Sequence, residues 1–364
     1  MKSSLLLPAA VLTLSSLSFA QLKYVVVPAS AASADGSSYH WCPTRYNPNR
    51  TQCFYSAKTV GTGFRIFRSI GIRSDAARTT SAVNKSWDIE IQMANISQAP
   101  GKQSWRFSKN LVGGTKVFPR KKINLPAPKK PPVGKPAAFV RIPLTKPFLY
   151  KNQTLVVDFQ TFGSKETKYW YVDAQDYTLT GNAPDYGGAK ITTTSCPTNF
   201  TMYRAGGNWV GGAIGYYGYS RVQANTAKPG FLIIGASNTK WGAFTLPLDL
   251  TIAGAKGCKL GVSMDLLIPT ITEKARADGY VSNDVDIPNI PSLGGLTIHA
   301  QYMVIDAGYN SLNLRFSNTY SNTIGKHGFP KAMEGFMLYN YYSQPTYDVG
   351  IYNKTRALVL ELGY

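Results

Sequence analysis

Segments in which apolar and polar positions alternate, and short runs rich in Val, Ile, Thr, Tyr and Phe, predict β-strands. In residues 87–93, Trp87, Ile89, Ile91 and Met93 share one face and polar residues occupy the other, the period-two pattern of a strand with one buried face. Alternation extends over part of 64–73 and of 293–306, and other runs typical of strands lie at 22–28, 140–144, 154–162, 169–173, 231–235, 241–250, 312–317, 337–341 and 356–362. Short strands between Gly, Asn and Pro turns favour an all-β fold with two antiparallel β-sandwich (jelly-roll-like) domains in tandem.

The first twenty residues have a different pattern. Lys2 precedes an apolar stretch at 5–17, and small residues end the segment at Ala20, as in a secretory signal peptide. The apolar stretch is shorter than the roughly 20 residues that a membrane-spanning helix needs. We therefore expect a signal peptide at 1–20, a secreted or cell-surface location and no transmembrane segment.

Composition and turn signals suggest where the remaining chain divides. Gly (33), Tyr (23) and Pro (22) are abundant, which disfavours helices. The proline-rich stretch 126–136 is expected to be an exposed loop between two strands, because proline removes backbone donors. The strand at 231–235 ends the first unit in this interpretation, which gives an N-terminal basic sandwich domain at 21–235 and a C-terminal sandwich domain with tail strands at 236–364.

The four cysteines are interpreted as disulfide candidates, since an even number in an exported chain is typical of disulfides. Cys42 and Cys53 flank a turn-rich stretch, so a local link is the first expectation, and Cys196 would then join Cys258. Four cysteines allow three pairings, so the connectivity stays open. A four-cysteine zinc site is the alternative, but the sequence has no CxxC pair.

Positive charge is concentrated in the first half of the chain. The net charge is +20, and no acidic residue occurs between Glu90 and Asp158 although that stretch holds 13 Lys and Arg. Residues 236–325 instead hold six basic and seven acidic residues. One part of the molecule is therefore cationic and another nearly neutral.

The electrostatic field of a positively charged surface attracts polyanions, and salt screens this field over about 8 Å at physiological ionic strength. The expected partner is an acidic polysaccharide or another extracellular polyanion, and the alternative is a solvated surface that only keeps the protein soluble. Sequence-specific nucleic-acid binding is not expected, because zinc-finger spacing, a helix-turn-helix pattern and an RNP-like motif are missing from the sequence. Self-association through strand edges is a further expectation.

Several blocks of the sequence resemble a known group of proteins. In the first half the blocks are 67–75, 87–91, 112–118, 140–150 and 155–158. In the second half they are 246–250, 257–258, 288–298, Gln301, 317–318 and 324–325. Together they are similar to uncharacterised exported two-domain β-sandwich proteins that are abundant in Planctomycetes and related environmental bacteria. The resemblance implies that the protein is exported and has two β-sandwich domains. It implies no enzymatic or binding activity. The many lysines and the Pro/Lys insertion depart from the group.

The sequence offers no motif for catalysis. It contains three histidines without metal-binding spacing and no G-x-S-x-G elbow, so neither a zinc hydrolase nor a serine hydrolase is indicated. Asp284 and Asp286, with Asn283, are either calcium ligands or a solvated turn, and we favour the turn. No catalytic residue, metal or cofactor is expected, and the protein is interpreted as not an enzyme.

The binding-site prediction combines cations with aromatic rings. Aromatic faces can stack on sugar rings while cations hold acidic groups, and core packing of the aromatics is the alternative. The predicted ligand-binding residues are Arg120, Lys121, Lys122, Lys129, Lys130, Tyr169, Trp170, Tyr171 and Trp209.

These observations favour a secreted, non-catalytic surface or extracellular-matrix protein that acts by binding or assembly. The alternative is a lectin-like module for acidic polysaccharide, and a glycan hydrolase has the least support. Lysines clustered with aromatic rings around one groove would favour the lectin. Scattered lysines and long bare strand edges would favour assembly.

Overall fold

A computed structural model gives the structure of the chain over most of its length. It describes residues 22–81, 83–163, 170–177, 185, 187–193, 195–196, 198–222, 226–272, 279–328, 333–341, 348, 350 and 352–364. The expected signal peptide at 1–20 lies outside these residues.

The described residues fold mainly into β-strands, which confirms the predicted all-β class. The first nine strands are β1 (Tyr24–Val27), β2 (Ser38–His40), β3 (Asn49–Tyr55), β4 (Arg65–Ile72), β5 (Lys85–Ile96), β6 (Thr115–Leu125), β7 (Val140–Tyr150), β8 (Thr154–Thr161) and β9 (Val172–Asp176). The next twelve are β10 (Ala189–Ile191), β11 (Thr201–Gly207), β12 (Ala213–Tyr219), β13 (Pro229–Gly235), β14 (Lys240–Trp241), β15 (Phe244–Thr245), β16 (Leu248–Asp249), β17 (Lys259–Leu260), β18 (Leu266–Ile271), β19 (Tyr280–Asp286), β20 (Thr297–Ile305) and β21 (Leu314–Thr323).

The last four strands are β22 (Gly335–Tyr341), β23 (Tyr352–Lys354), β24 (Arg356–Leu358) and β25 (Leu360–Gly363). The described residues include one short α-helix, α1 (Ala57–Val60). Short 3₁₀ helices of three to six residues occupy Ala29–Ala31, Ala76–Ser81, Ser108–Leu111, Thr251–Ala253 and Pro291–Leu293.

The largest core lies between a six-stranded and a four-stranded antiparallel sheet. Their strand orders are β23-β22-β3-β8-β5-β6 and β1-β25-β4-β7, and a small sheet, β2-β9-β24, adds to the same core. Trp87, Ile89, Ile91 and Met93 on β5 are all fully buried there, so the predicted alternation of β5 is confirmed. The Trp87 indole also donates to Thr161 Oγ1 at 3.0 Å, which satisfies its polar atom inside the core.

A second core lies between the five-stranded sheet β10-β21-β20-β13-β18 and the three-stranded sheet β11-β12-β19. Tyr302 on β20 donates its hydroxyl hydrogen to the Tyr216 carbonyl of β12 at 2.8 Å, which links the two sheets through a buried contact. The opposite face of β20 is also covered, because Gln301 bonds to the Lys259 carbonyl and to the Gly261 amide.

Strand pairing crosses the boundary expected between residues 235 and 236. Strand β13, which ends at Gly235, pairs with β18 and β20. The C-terminal strands pair with N-terminal ones, as β22 joins β3, β24 joins β9, and β25 lies between β1 and β4. The sheets therefore group residues differently from a division into 21–235 and 236–364.

One of the two expected disulfides is present. Cys196 and Cys258 form a disulfide with Cα atoms 4.9 Å apart and a sequence separation of 62. The expected Cys42–Cys53 link is absent, because both are free, buried thiols in the largest core. Cys53 lies within β3 opposite Val157 of β8, inside a continuous sheet. Burial raises the pKa of the Cys53 thiol to about 12, so this thiol stays protonated and unreactive.

Candidate functional site

Two edge strands and the loop between them carry most of the predicted cations. Strand β6 is the edge of the six-stranded sheet, and β7 is the edge of the four-stranded sheet. Thr145 of β7 donates its hydroxyl hydrogen to the Val117 carbonyl of β6 at 3.0 Å, so the two edges lie side by side. We call β6, β7 and the connecting residues 126–139 the lysine edge.

The proline-rich connection is an exposed loop, as the sequence predicts. Residues 126–139 contain no strand or helix, and most of their side chains are exposed. The indole Nε1 of Trp170 donates to the Pro126 carbonyl at 3.0 Å, and the Ala127 amide donates to Asn84 Oδ1 at 2.6 Å. These two bonds anchor the start of the loop on the first core.

Three cations of the lysine edge are neutralised by carboxylates. Lys116 lies 2.8 Å from Glu90, and Arg120 lies 2.8 Å from Asp88 in a two-point contact. Arg141 of β7 pairs with Glu361 of β25 at 2.5 Å. Arg120, one of the predicted ligand-binding residues, therefore has a carboxylate partner within the protein.

Six other lysines of the lysine edge are exposed and have no ion-pair partner among the described residues. They are Lys121, Lys122, Lys129, Lys130, Lys135 and Lys146. Four of them were predicted as ligand-binding residues, and the acid-free stretch of sequence explains why no carboxylate reaches them. Lys135 and Lys146 belong to the same cationic stretch but were not included in the predicted site.

One predicted aromatic residue lies beside a predicted lysine, since Trp170 and Lys129 both line a cleft of about 260 Å³. Trp170 is 1% exposed in the first core, and Trp209 is 7% exposed in a different cluster. Tyr171 is half-buried and packs edge-on against Tyr39, with ring centroids 5.2 Å apart. Tyr169 lies outside the described residues. Trp170 therefore supports the proline-rich loop from beneath.

A second concave region lies between residues 98–112 and the ends of β12 and β19. This cleft has a volume of about 470 Å³, and Trp105, Lys109 and Asp286 contribute to its walls. Lys109 Nζ lies 2.6 Å from Asp286 Oδ2, whereas Lys102 in the same wall is exposed and has no ion-pair partner among the described residues. The cleft therefore offers one unpaired lysine, whereas the lysine edge offers six.

Asp284 and Asp286 lie on β19, so the expected turn at this position is wrong. They also have separate cationic partners, since Asp284 lies 3.1 Å from Arg106 and Asp286 contacts Lys109. Asn283 donates to the Pro269 carbonyl at 3.1 Å. The side chain of Asp284 is only 2% exposed, and burial raises its pKa to about 6, with the neighbouring Asp286 carboxylate contributing.

The raised pKa of Asp284 predicts a pH-dependent stability. The folded protein holds a proton on Asp284 up to about pH 6, whereas the unfolded chain loses it near pH 3.8. The free energy of unfolding should therefore fall as pH rises between these values, by about 2 kcal/mol from this group. Asp284→Asn should remove that part of the slope in urea unfolding measured from pH 4 to pH 7.

The exposed neighbour Asp286 provides the matched control. Asp286→Asn removes a carboxylate from the same strand and should reduce the slope only slightly, because burial, the main cause of the raised pKa of Asp284, is unchanged. Parallel pH curves for wild type and Asp284→Asn would contradict the prediction.

Comparison of the chain with protein-family models, curated proteins and solved structures finds no match. Among the described residues, no helix combines the length and apolar character needed to cross a bilayer.

Proposed function

We propose that this is an exported, non-catalytic protein that binds an acidic extracellular polymer along the lysine edge. The observation that carries the proposal is the set of six exposed lysines without carboxylate partners on adjoining elements. The three other cations of the lysine edge are paired with carboxylates, so these six are the cations of the lysine edge that are available to an external anion. The amino-terminal sequence pattern supports export.

The shape of the lysine edge suits an extended ligand. Strand β6 has 11 residues, which corresponds to a length of about 36 Å at ~3.3 Å per residue. Lys121 and Lys122 project from this strand, and Lys129 and Lys130 follow in the loop. A polymer that carries repeated negative charges can contact several of these lysines at once, and each contact adds to the affinity.

The same elements disfavour assembly through these two edges. Pro119 lies in β6, and Pro143 and Pro147 lie in β7. Proline lacks the amide donor that a new strand would need, and edge lysines oppose pairing with another chain. Lysine and proline therefore keep the lysine edge open to a polymer while preventing sheet extension.

Self-association at another edge is the second candidate role, and one observation favours it. Strand β18 is the edge of the five-stranded sheet, and its Leu266, Leu267 and Ile271 are exposed. An exposed apolar strand edge is a known site of pairing between chains. Sedimentation velocity without polymer tests this role, since oligomers under those conditions would support it.

The decisive experiment replaces four lysines of the lysine edge together. The variant Lys121→Gln/Lys122→Gln/Lys129→Gln/Lys130→Gln should bind dextran sulfate and polygalacturonate roughly tenfold or more weakly, because each exposed ion pair contributes a small, additive part of the affinity. Binding is measured by calorimetry at two salt concentrations, and the salt dependence should become shallower in the variant as fewer counterions are released.

A matched control removes the same number of charges elsewhere. Lys23, Lys190, Lys240 and Lys256 are also exposed, and their joint replacement by glutamine should weaken binding much less. Equal losses in the two variants would show that net charge alone attracts the polymer and would contradict a defined binding surface. Wild-type protein that does not bind either polymer at low salt would exclude the proposed function.

A further inference from the structure

Three carboxylates from distant parts of the sequence converge in the first half of the molecule. Asp35 follows the first 3₁₀ turn, Asp75 precedes the second, and Asp173 lies on β9. Each offers one carboxylate oxygen, and these oxygens all lie within 4.8 Å of one another. We call the three residues the acidic cluster.

Asp173 has hydrogen-bond partners on both oxygens. The Gly36 amide donates to Asp173 Oδ1 at 3.0 Å, and Arg73 Nε donates to Oδ2 at 2.7 Å. Arg73 Nη2 donates in addition to the carbonyls of Ala31 and Ala34 at 2.9 and 2.7 Å. The fully buried Arg73 therefore lies beside Asp173 and is held by the backbone of the preceding loop.

Asp35 and Asp75 each leave one oxygen without a partner. The Ala76 amide donates to Asp35 Oδ2 at 2.9 Å, but Oδ1 of Asp35 is buried and has no hydrogen bond. Asp75 is only 5% exposed, and its Oδ1 is likewise buried without a hydrogen bond. An unpartnered carboxylate oxygen away from water is costly, so two of them at one place indicate a missing positive group.

The nearby arginines do not balance the charge. Arg73 places one buried guanidinium beside the three carboxylates of the acidic cluster. The exposed Arg78 lies over the Tyr39 ring, with its Cζ 4.5 Å from the ring centroid, and its charge also acts on Asp75, so two guanidinium groups face three carboxylates. The acidic cluster therefore carries an excess of negative charge.

We propose that the acidic cluster binds a calcium ion through Oδ1 of Asp35, Oδ1 of Asp75 and a carboxylate oxygen of Asp173. Calcium accepts several carboxylate oxygens at about 2.3–2.6 Å, and ligand oxygens within 4.8 Å of one another fit around such an ion. Magnesium is less suited, since it usually keeps several waters and takes one or two carboxylates. Soft metals are disfavoured, because the three side-chain donors are all oxygens.

A calcium ion at this place ties three elements together. The loop of residues 31–36, the turn that starts at Ala76 and strand β9 each contribute a ligand or lie next to one. The ion should stabilise the folded protein, because the unfolded chain does not hold the three carboxylates together. Only three carboxylates contribute and Arg73 is adjacent, so we expect a dissociation constant of about 10⁻⁴ to 10⁻³ M, the range of extracellular modules.

The test uses the full mature chain after treatment with a chelator. Calcium chloride at saturating concentration should raise the midpoint of thermal unfolding by about 5 °C, and calorimetry should show one site. Asp75→Asn keeps the size of the side chain and removes its charge, so it should abolish the calcium response. Asp35→Asn provides a second variant in case the first one folds poorly.

Asp306→Asn serves as the control. Asp306 is a buried carboxylate outside the acidic cluster that pairs with Arg315 at 2.6 Å, so this variant should still respond to calcium. Terbium gives an independent readout, because Tyr39 and Tyr171 beside the acidic cluster can sensitise its emission.

An absent calcium response and absent terbium emission in the wild type would overturn the proposal, as would equal responses in the wild type and both cluster variants. Stabilisation by acid without any response to calcium would also overturn it, because a shared proton would then neutralise the two unpartnered oxygens.

Discussion

Replacing Arg73 by methionine should lower the free energy of unfolding by about 3–5 kcal/mol, the cost of removing one partner from a buried ion pair. Arg73 is fully buried, and its guanidinium bonds to Asp173 Oδ2 and to the carbonyls of Ala31 and Ala34. Methionine fills part of the space but leaves these acceptors unsatisfied. Urea unfolding of wild type and variant in calcium-free buffer measures the difference.

An exposed ion pair supplies the control for Arg73. Lys58 lies 2.5 Å from Glu334, and its side chain is 82% exposed. Lys58→Met should change stability by about 0.5 kcal/mol or less, since exposed pairs contribute little. A loss below about 1 kcal/mol for Arg73→Met would mean that the carboxylates are neutralised by another group, and would contradict the expected result.

The second large effect is expected at Trp170. Its side chain is 1% exposed and belongs to the largest core, so Trp170→Ala should cost about 3–5 kcal/mol through lost burial and an internal cavity. Trp170→Phe should cost less, because it keeps a ring and loses the 3.0 Å bond to the Pro126 carbonyl. Chemical unfolding of both variants measures these losses.

The Trp170→Phe variant also distinguishes support of the loop from contact with a ligand. If Trp170 holds the proline-rich loop from beneath, the phenylalanine variant should bind dextran sulfate as the wild type does. Trp241→Phe, at a half-buried position elsewhere, controls for the loss of one indole. A large loss of binding by Trp170→Phe with unchanged stability would instead indicate that the indole stacks on the ligand.

Local patterns predicted the strands because a strand with one buried face is encoded in adjacent residues. Strand β5 illustrates this, as Trp87, Ile89, Ile91 and Met93 are fully buried while Asp88 and Glu90 meet Arg120 and Lys116 across the sheet. The free lysines of the lysine edge were also predictable, since a stretch without acids leaves few partners within reach. Both features depend on neighbours along one or two strands.

Long-range pairing was not predictable in the same way. The run at 231–235 looked like the end of a unit, yet β13 pairs with strands that follow it. The acidic cluster joins positions 35, 75 and 173, and no sequence motif connects residues so far apart. Cys42 and Cys53 are near in sequence, but β3 continues through Cys53 within a sheet. In each case the decisive contact comes from a distant strand.

The position of β25 has a consequence for how the chain reaches its native state. The Lys23 amide donates to the Tyr364 carbonyl, and β25 fills the place between β1 and β4. During synthesis the earlier strands emerge first, yet their core lacks Leu360 and Leu362 until these two residues follow. Such non-local pairing slows folding. A chain with this topology stays incompletely folded while these earlier strands are being synthesised. An incompletely folded polypeptide is the form that can pass through a narrow export channel.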